Sequence, residues 1–324
     1  MTESVVLDIL LLSAFLAILV KSATFAVESI TKFSRIVGIS ELAAGFFIVA
    51  LSTSMPEITV AIFSVESDNV GITLGDIFGS NITNIGLIAA LFMLLSPIKQ
   101  IEKKTVQSLS PLLVIAAAIP FFLLIVEEGS KLIGIILLAI FGIFIYRTLK
   151  SNLQQHAFMK GEPQLTAGSS AIKQFVLFAI GISLVIASAK MVVDSASSIA
   201  DHTGIRESVL GATIISLGTS LPELSVDLAA VRRRHFNLAL GDIIGSSLTN
   251  IGLILGIVLL LSHIPVHFGV LSTLIVFAIV THSAMFMILR RAKVRAWHSA
   301  VLLSIYGIFL LTIYGIQLTI GSHY

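Results

Sequence analysis

Glu57 and Glu223 each follow a proline within a long apolar stretch. A carboxylate in such a place costs roughly 2.5–3.5 kcal/mol on membrane-insertion scales, so something must offset it. Pro56 and Pro222 supply part of the means. A helical proline frees the carbonyl four residues back, here Ser52 and Gly218, and loosens the turn carrying Thr53, Ser54, Thr219 and Ser220. Each glutamate is thereby grouped with two hydroxyls and loosened carbonyls. Asp76, Ser80 and Asn84 then follow at spacings of four, as do Asp242, Ser246 and Asn250. Residues so spaced share one helix face. Gly75 with Gly79, and Gly241 with Gly245, would let a second helix approach closely. The potential ligands are all oxygen, with no histidine among them and no cysteine in the chain. That chemistry suits hard cations such as Ca2+ or Na+.

The two groups are copies. Offsetting the chain by 166 residues aligns 38–88 with 204–254 without a gap and gives 24 identities in 51 positions. L-S-T-S-M-P-E falls on L-G-T-S-L-P-E, and G-D-I-F-G-S-N-I-T-N-I-G on G-D-I-I-G-S-S-L-T-N-I-G. Asp227, one turn beyond Glu223, has no acidic counterpart, because its mate is Ala61.

The elements that hold these groups must be membrane helices. Of 324 residues, 56% are apolar and only 12% charged, against about 25% charged in soluble domains. Mean hydropathy is +1.03. Apolar runs predict spans near 5–29, 42–65, 71–97, 106–126, 130–149, 172–198, 208–231, 237–262, 266–289 and 297–319. The expected fold is an all-α membrane protein of ten transmembrane helices. Five spans per half is an odd number, so the second half enters from the opposite face, giving two inverted five-helix repeats. The first repeat is expected over 1–150 with its duplicated region at about 38–90, and the second over 172–324 with its region at about 204–256. A cytoplasmic linker is expected over 151–171. Sixteen of the twenty Lys and Arg residues fall in alternate connections. By the positive-inside rule both termini then face outside. The net charge of +2 gives no reason to expect a nucleic-acid partner. The first span has Glu3 rather than a basic cluster before it, so it reads as a retained helix and not a signal peptide.

The paired motifs resemble the alpha repeats of the cation/Ca2+ exchanger superfamily, and are most similar to those of prokaryotic Na+/Ca2+ exchangers. The resemblance implies a prokaryotic cell-membrane antiporter that works by alternating access, with spans one and six sliding across the rest. It implies a Ca2+ site made by Glu57 and Glu223 with the backbone carbonyls of Thr53 and Thr219. Flanking Na+ sites would use Ala50, Ser54, Ser80, Ser216, Ser220 and Ser246, with Asn84 and Asn250 near the centre. The chain departs from common patterns in three places. Asn250 stands where some K+-dependent relatives have Asp, Asp76 and Asp242 stand where relatives often have Asn, and Asp227 is additional. Asp76, Asp242 and Asp227 are therefore candidates for lining the ion path. The acidic G-N-x-x-E motif typical of H+/Ca2+ exchangers is absent, which favours Na+ as counter-ion and leaves H+ as the alternative.

Other readings fare less well. No phosphate-binding loop, phosphorylation sequence or H-E-x-x-H helix is present to drive a pump or a protease. A channel could use the same ligands but does not require inverted halves. No cofactor is expected beyond the transported ions, and the partners are the lipid bilayer, Ca2+ and Na+ or H+. Oligomeric state stays open, with a monomer among the options. Glu28 and Asp194 read as helix-end residues, Lys21 and Lys190 as snorkelling side chains, and His263 and His267 as an outer-loop pair.

Overall fold

The computed structural model describes residues 3–37, 50–95, 101, 103–126, 128–158, 168–232, 236–262, 264–265, 269–291 and 293–321. The first part of the expected second span, the linker centre 159–167, and both His263 and His267 lie outside the described residues.

The first half begins with α1 (Glu3–Val37), the short α2 (Ala50–Thr53), α3 (Met55–Glu66) and α4 (Val70–Thr83). A π-helical turn, Asn84–Ala89, joins α4 to α5 (Ala90–Leu95), and α6 (Lys103–Val126) and α7 (Lys131–Phe158) follow. The second half begins with α8 (Gly168–Thr203) and α9 (Glu207–Leu210). A second π-helical turn, Gly211–Ile215, leads into α10 (Ser216–Thr219), α11 (Leu221–Arg232) and α12 (Phe236–Leu248). A third, Thr249–Ile254, precedes α13 (Leu255–Leu261), α14 (Val270–Arg290) and α15 (Ala296–Gly321). Among the described residues the one departure from an all-helical fold is a two-residue antiparallel pair, β1 (Glu128–Gly129) with β2 (Ile264–Pro265).

By length and composition, seven helices among the described residues can cross a membrane. Shorter apolar helices cover Leu109–Leu123 and Lys131–Tyr146. Three elements outrun their expected bounds, α1, α7 and α8. The first helix has 35 residues and α8 has 36, so each is about 50 Å long, well beyond a hydrocarbon core of about 30 Å. The expected linker is also shorter than its composition suggests, because α7 continues to Phe158 and α8 starts at Gly168. Polar Gln, Ser and Lys are adequate helix formers once a helix is already nucleated.

Burial sorts the helices into an inner and an outer set. Val70–Leu95 and Ala239–Leu261 are each 83% buried in their most apolar window, against 22% for Val5–Ile30 and for Ala296–Thr319. The segments bearing the Asp–Ser–Asn triplets are thus the innermost. The long helices α1 and α8 pair antiparallel along their lengths: Ser198 donates to Asp8 at 2.6 Å, Gly181 abuts Ala26, and Phe33 lies 5.9 Å from Phe175. They meet the inner set through an aliphatic seam of Leu12, Leu19, Val60, Ile72, Val192 and Ile215, separate from the main core. Leu10, Ile18, Phe175 and Ile180 stay exposed on the far side, as lipid-facing positions do.

Small residues bring the inner helices together. A β-carbon on Gly75 would strike the backbone of Ser208 and Ala212, one on Gly79 would meet Ala212 and Ser216, and one on Gly211 would strike the Ile72 carbonyl. This contact sets α4 against the segment from α9 to α10. Overpacking such an interface costs typically about 1–3 kcal/mol. Gly211→Ala should therefore lower the melting temperature of the detergent-solubilised protein, whereas Gly142→Ala, with nothing within 4 Å, should leave it unchanged.

Candidate functional site

Both proline-bearing segments are interrupted at the predicted place. The backbone leaves regular helix at Ser54 (φ −79°, ψ 4°) and at Ser220 (φ −83°, ψ 0°), then resumes as α3 and α11. These angles lie in the sparsely populated bridge region. The breaks turn Thr53, Ser54 and Glu57 inward from one half and Thr219, Ser220 and Glu223 from the other. Ala50 opens α2, and Ser216 opens α10. The inner helices α4 and α12 supply Asp76, Ser80, Asp242 and Ser246, while Asn84 and Asn250 lie in the π-helical turns. Every side chain in this set, with Asp227 added and Ala50 aside, is no more than 1% exposed. Bulk water does not reach them.

The halves interlock across the centre. Glu57 lies close enough to Glu223 of the other half, and to Asp76, for their charges to interact. The Thr219 hydroxyl lies beside Glu57, and the Thr53 hydroxyl beside Glu223. Thr53 Oγ1 is 3.5 Å from Ser246 Oγ, and its repeat mate Thr219 Oγ1 is 3.4 Å from Ser80 Oγ. The same contact is thus made twice with the halves exchanged. Among the described residues, both carboxyl oxygens of Glu57 and of Glu223 lack a hydrogen-bond partner, as do the hydroxyls of Ser54 and Ser220 and the side-chain amides of Asn84 and Asn250. Leaving buried polar groups unpaired costs about 1–3 kcal/mol each, and more when they are charged. A hard cation between the glutamates would satisfy these acceptors.

The structure adds features the sequence did not disclose. Asp76 accepts hydrogen bonds from Thr219 (2.9 Å) and from Ser80 (3.2 Å), so it is fastened to the partner half. Three π-helical turns were not foreseen. They widen the helix beside Asn84, Asn250 and Ser216, and such turns concentrate at functional sites. The Asn-Ile-Gly sequence that two of them share is the nearest available signal. Glu28, in contrast, is exposed and pairs with Lys32 at 3.8 Å on the surface of α1.

The comparisons with known proteins follow this geometry. The family described as Sodium/calcium exchanger protein matches residues 7–150 and again 173–315. The chain belongs to that family. It is 30% identical over 278 residues to the uncharacterised membrane protein MJ0091 of Methanocaldococcus jannaschii, covering 85% of this chain and 87% of that one. It is 27% identical over 351 residues to the sodium/calcium exchanger MaX1 of Methanosarcina acetivorans, covering 96% and 99%. Among solved structures it resembles the sodium–calcium exchanger NCX_Mj soaked with Na+, with a TM-score of 0.68, 27% identity and coverage of 94% and 98%. The chain therefore has the exchanger membrane fold, and membership assigns it cation/Ca2+ exchange.

The Asp76 contact predicts a stability effect. Thr219→Val removes a donor from a buried carboxyl and should cost about 1–3 kcal/mol. Thermal unfolding in detergent should show this exchanger variant melting below wild type, with Thr219→Ser retaining most of the stability.

Proposed function

We propose that this exchanger carries Ca2+ in one direction and Na+ in the other, through a single central site where the ions compete for Glu57 and Glu223. The observation that carries the reading is the buried, donor-free glutamate pair, one member from each half. Two carboxylates balance one Ca2+ or the larger part of a Na+ load, but not both loads together, since like charges in a low dielectric repel strongly. Competition of this kind couples the two fluxes. An unloaded pair resists enclosure in an apolar interior, so the loaded forms are the ones that change face.

In this reading Thr53 and Thr219 contribute carbonyls to the Ca2+ site, and Ala50, Ser54, Ser80, Ser216, Ser220 and Ser246 form the flanking Na+ sites around Asn84 and Asn250. Ten spans arranged as inverted repeats, 1–150 and 172–324 with a short link between them, account for the exchanged Thr–Ser contacts and for the two-block family match. Both termini face outside a prokaryotic cell membrane. The antiparallel pair α1 and α8 moves as a unit, an idea supported by its aliphatic seam, which has few features to resist sliding.

Sodium is preferred over protons because the relatives MaX1 and NCX_Mj are named sodium–calcium exchangers and the acidic G-N-x-x-E motif is missing. In proteoliposomes, an outward Na+ gradient should drive 45Ca2+ uptake at least tenfold above background, and an outward proton gradient of equal size should not. Glu57→Gln and Glu223→Gln should each abolish uptake. Uptake driven by protons alone would overturn the counter-ion, and full transport by either variant would overturn the site.

A further inference from the structure

The last acid of the chain is Asp242, and residues 243–324 hold no Asp or Glu. All the Lys and Arg residues of that stretch, Arg290, Arg291, Lys293 and Arg295, fall at the junction of α14 and α15. Each is exposed. Among the described residues the ion pairs lie elsewhere, Lys32 with Glu28 and His202 with Asp8, so no described carboxylate neutralises this cluster.

The positive-inside rule accounts for cations gathering at one membrane face, but it does not require them to be ordered. These are ordered. Arg291 lies over the Trp297 ring at 5.5 Å, and Arg290 over the Phe286 ring at 5.6 Å. Arg295 and His298 bond reciprocally: the Arg295 amide donates to His298 Nδ1 at 3.1 Å, and the His298 amide donates to the Arg295 carbonyl at 2.9 Å. The start of α15 is thereby fixed in the manner of a capping box. A guanidinium stacked on a ring keeps its N–H edge free, and that edge matches the oxygens of a phosphate two at a time. Met287, one turn before Arg291, and Val301, one turn after Trp297, are exposed and apolar. The cations therefore stand where the lipid-facing surface ends, beside a tryptophan, the residue type that collects at headgroup level. Basic clusters next to a span attract anionic headgroups.

We propose that the junction of α14 and α15 binds an acidic phospholipid, with its phosphate against Arg290, Arg291, Lys293 and Arg295 and its acyl chains along Met287 and Val301. The grip falls on α15, whose Tyr306 packs on Gly86 in the π-helical turn beside Asn84, so the bound lipid anchors a helix that frames the ion site. The inference holds whichever counter-ion the exchanger uses.

Trp297 is the single tryptophan of the chain, so its emission reports on this junction alone. The test reconstitutes the full-length protein in phosphatidylcholine bilayers containing equal small fractions of brominated phosphatidylglycerol or brominated phosphatidylcholine, whose bromines quench a nearby indole. Quenching by the acidic lipid should be at least about threefold stronger. Arg290→Gln, Lys293→Gln and Arg295→Gln combined leave the Arg291 stack on Trp297 in place and should bring the two lipids level. Raising the ionic strength with choline chloride should weaken the preference in wild type, with no substitution needed. Equal quenching by both lipids in wild type would overturn the site. So would a preference unchanged by the substitutions or, if they prevent folding, by the salt. Recovery of emission on adding inorganic phosphate would overturn the lipid as occupant, by showing that the free anion takes its place.

Discussion

Two glutamate carboxyls, one from each half, buried within charge-interaction range inside an apolar bundle are the constraint around which this protein is organised. Each must lose its hydration, and each repels the other, so the folded chain holds them only because surrounding helices are packed closely enough to leave no retreat. Gly75, Gly79 and Gly211 make that packing achievable by letting backbone meet backbone between α4 and the segment from α9 to α10. The interruptions at Ser54 and Ser220 then turn the hydroxyls and glutamates of both halves toward one centre.

Duplication explains why the centre lies where it does. A single half offers one glutamate and half a ligand set. Together the halves interlock, Thr53 meeting Ser246 as its repeat mate Thr219 meets Ser80. The outer pair α1 and α8 is built differently from the inner helices. It is long, lipid-exposed and joined to the rest by aliphatic contacts, while the site residues sit on the inner, most buried segments.

Much of this was legible in the residues. Hydropathy located the long apolar helices, the 166-residue offset paired the polar residues of the two halves, and the prolines marked both helix interruptions. Other features were not legible, for physical reasons. Helix length beyond the hydrocarbon core depends on polar residues that extend an existing helix, so the apolar run understated α1, α7 and α8 and overstated the linker. The π-helical turns arise from tertiary packing beside Asn84, Thr213 and Asn250, which local propensity does not encode. Asp76 and Asp242 are identical in type and spacing, and only the fold shows that both lie beside a threonine hydroxyl while Asp242 also meets Asp227. Pattern identifies which residues are duplicated; packing decides what each copy touches.

The most direct test of the shared glutamate site is crystallographic. Crystals soaked in Sr2+, a heavier stand-in for Ca2+, should give one dominant anomalous peak lying between the Glu57 and Glu223 carboxyl groups, at about the 2.3–2.6 Å expected for Ca2+–oxygen bonds or slightly longer. A dominant peak remote from either glutamate, or separate peaks each held by one of them, would contradict the account.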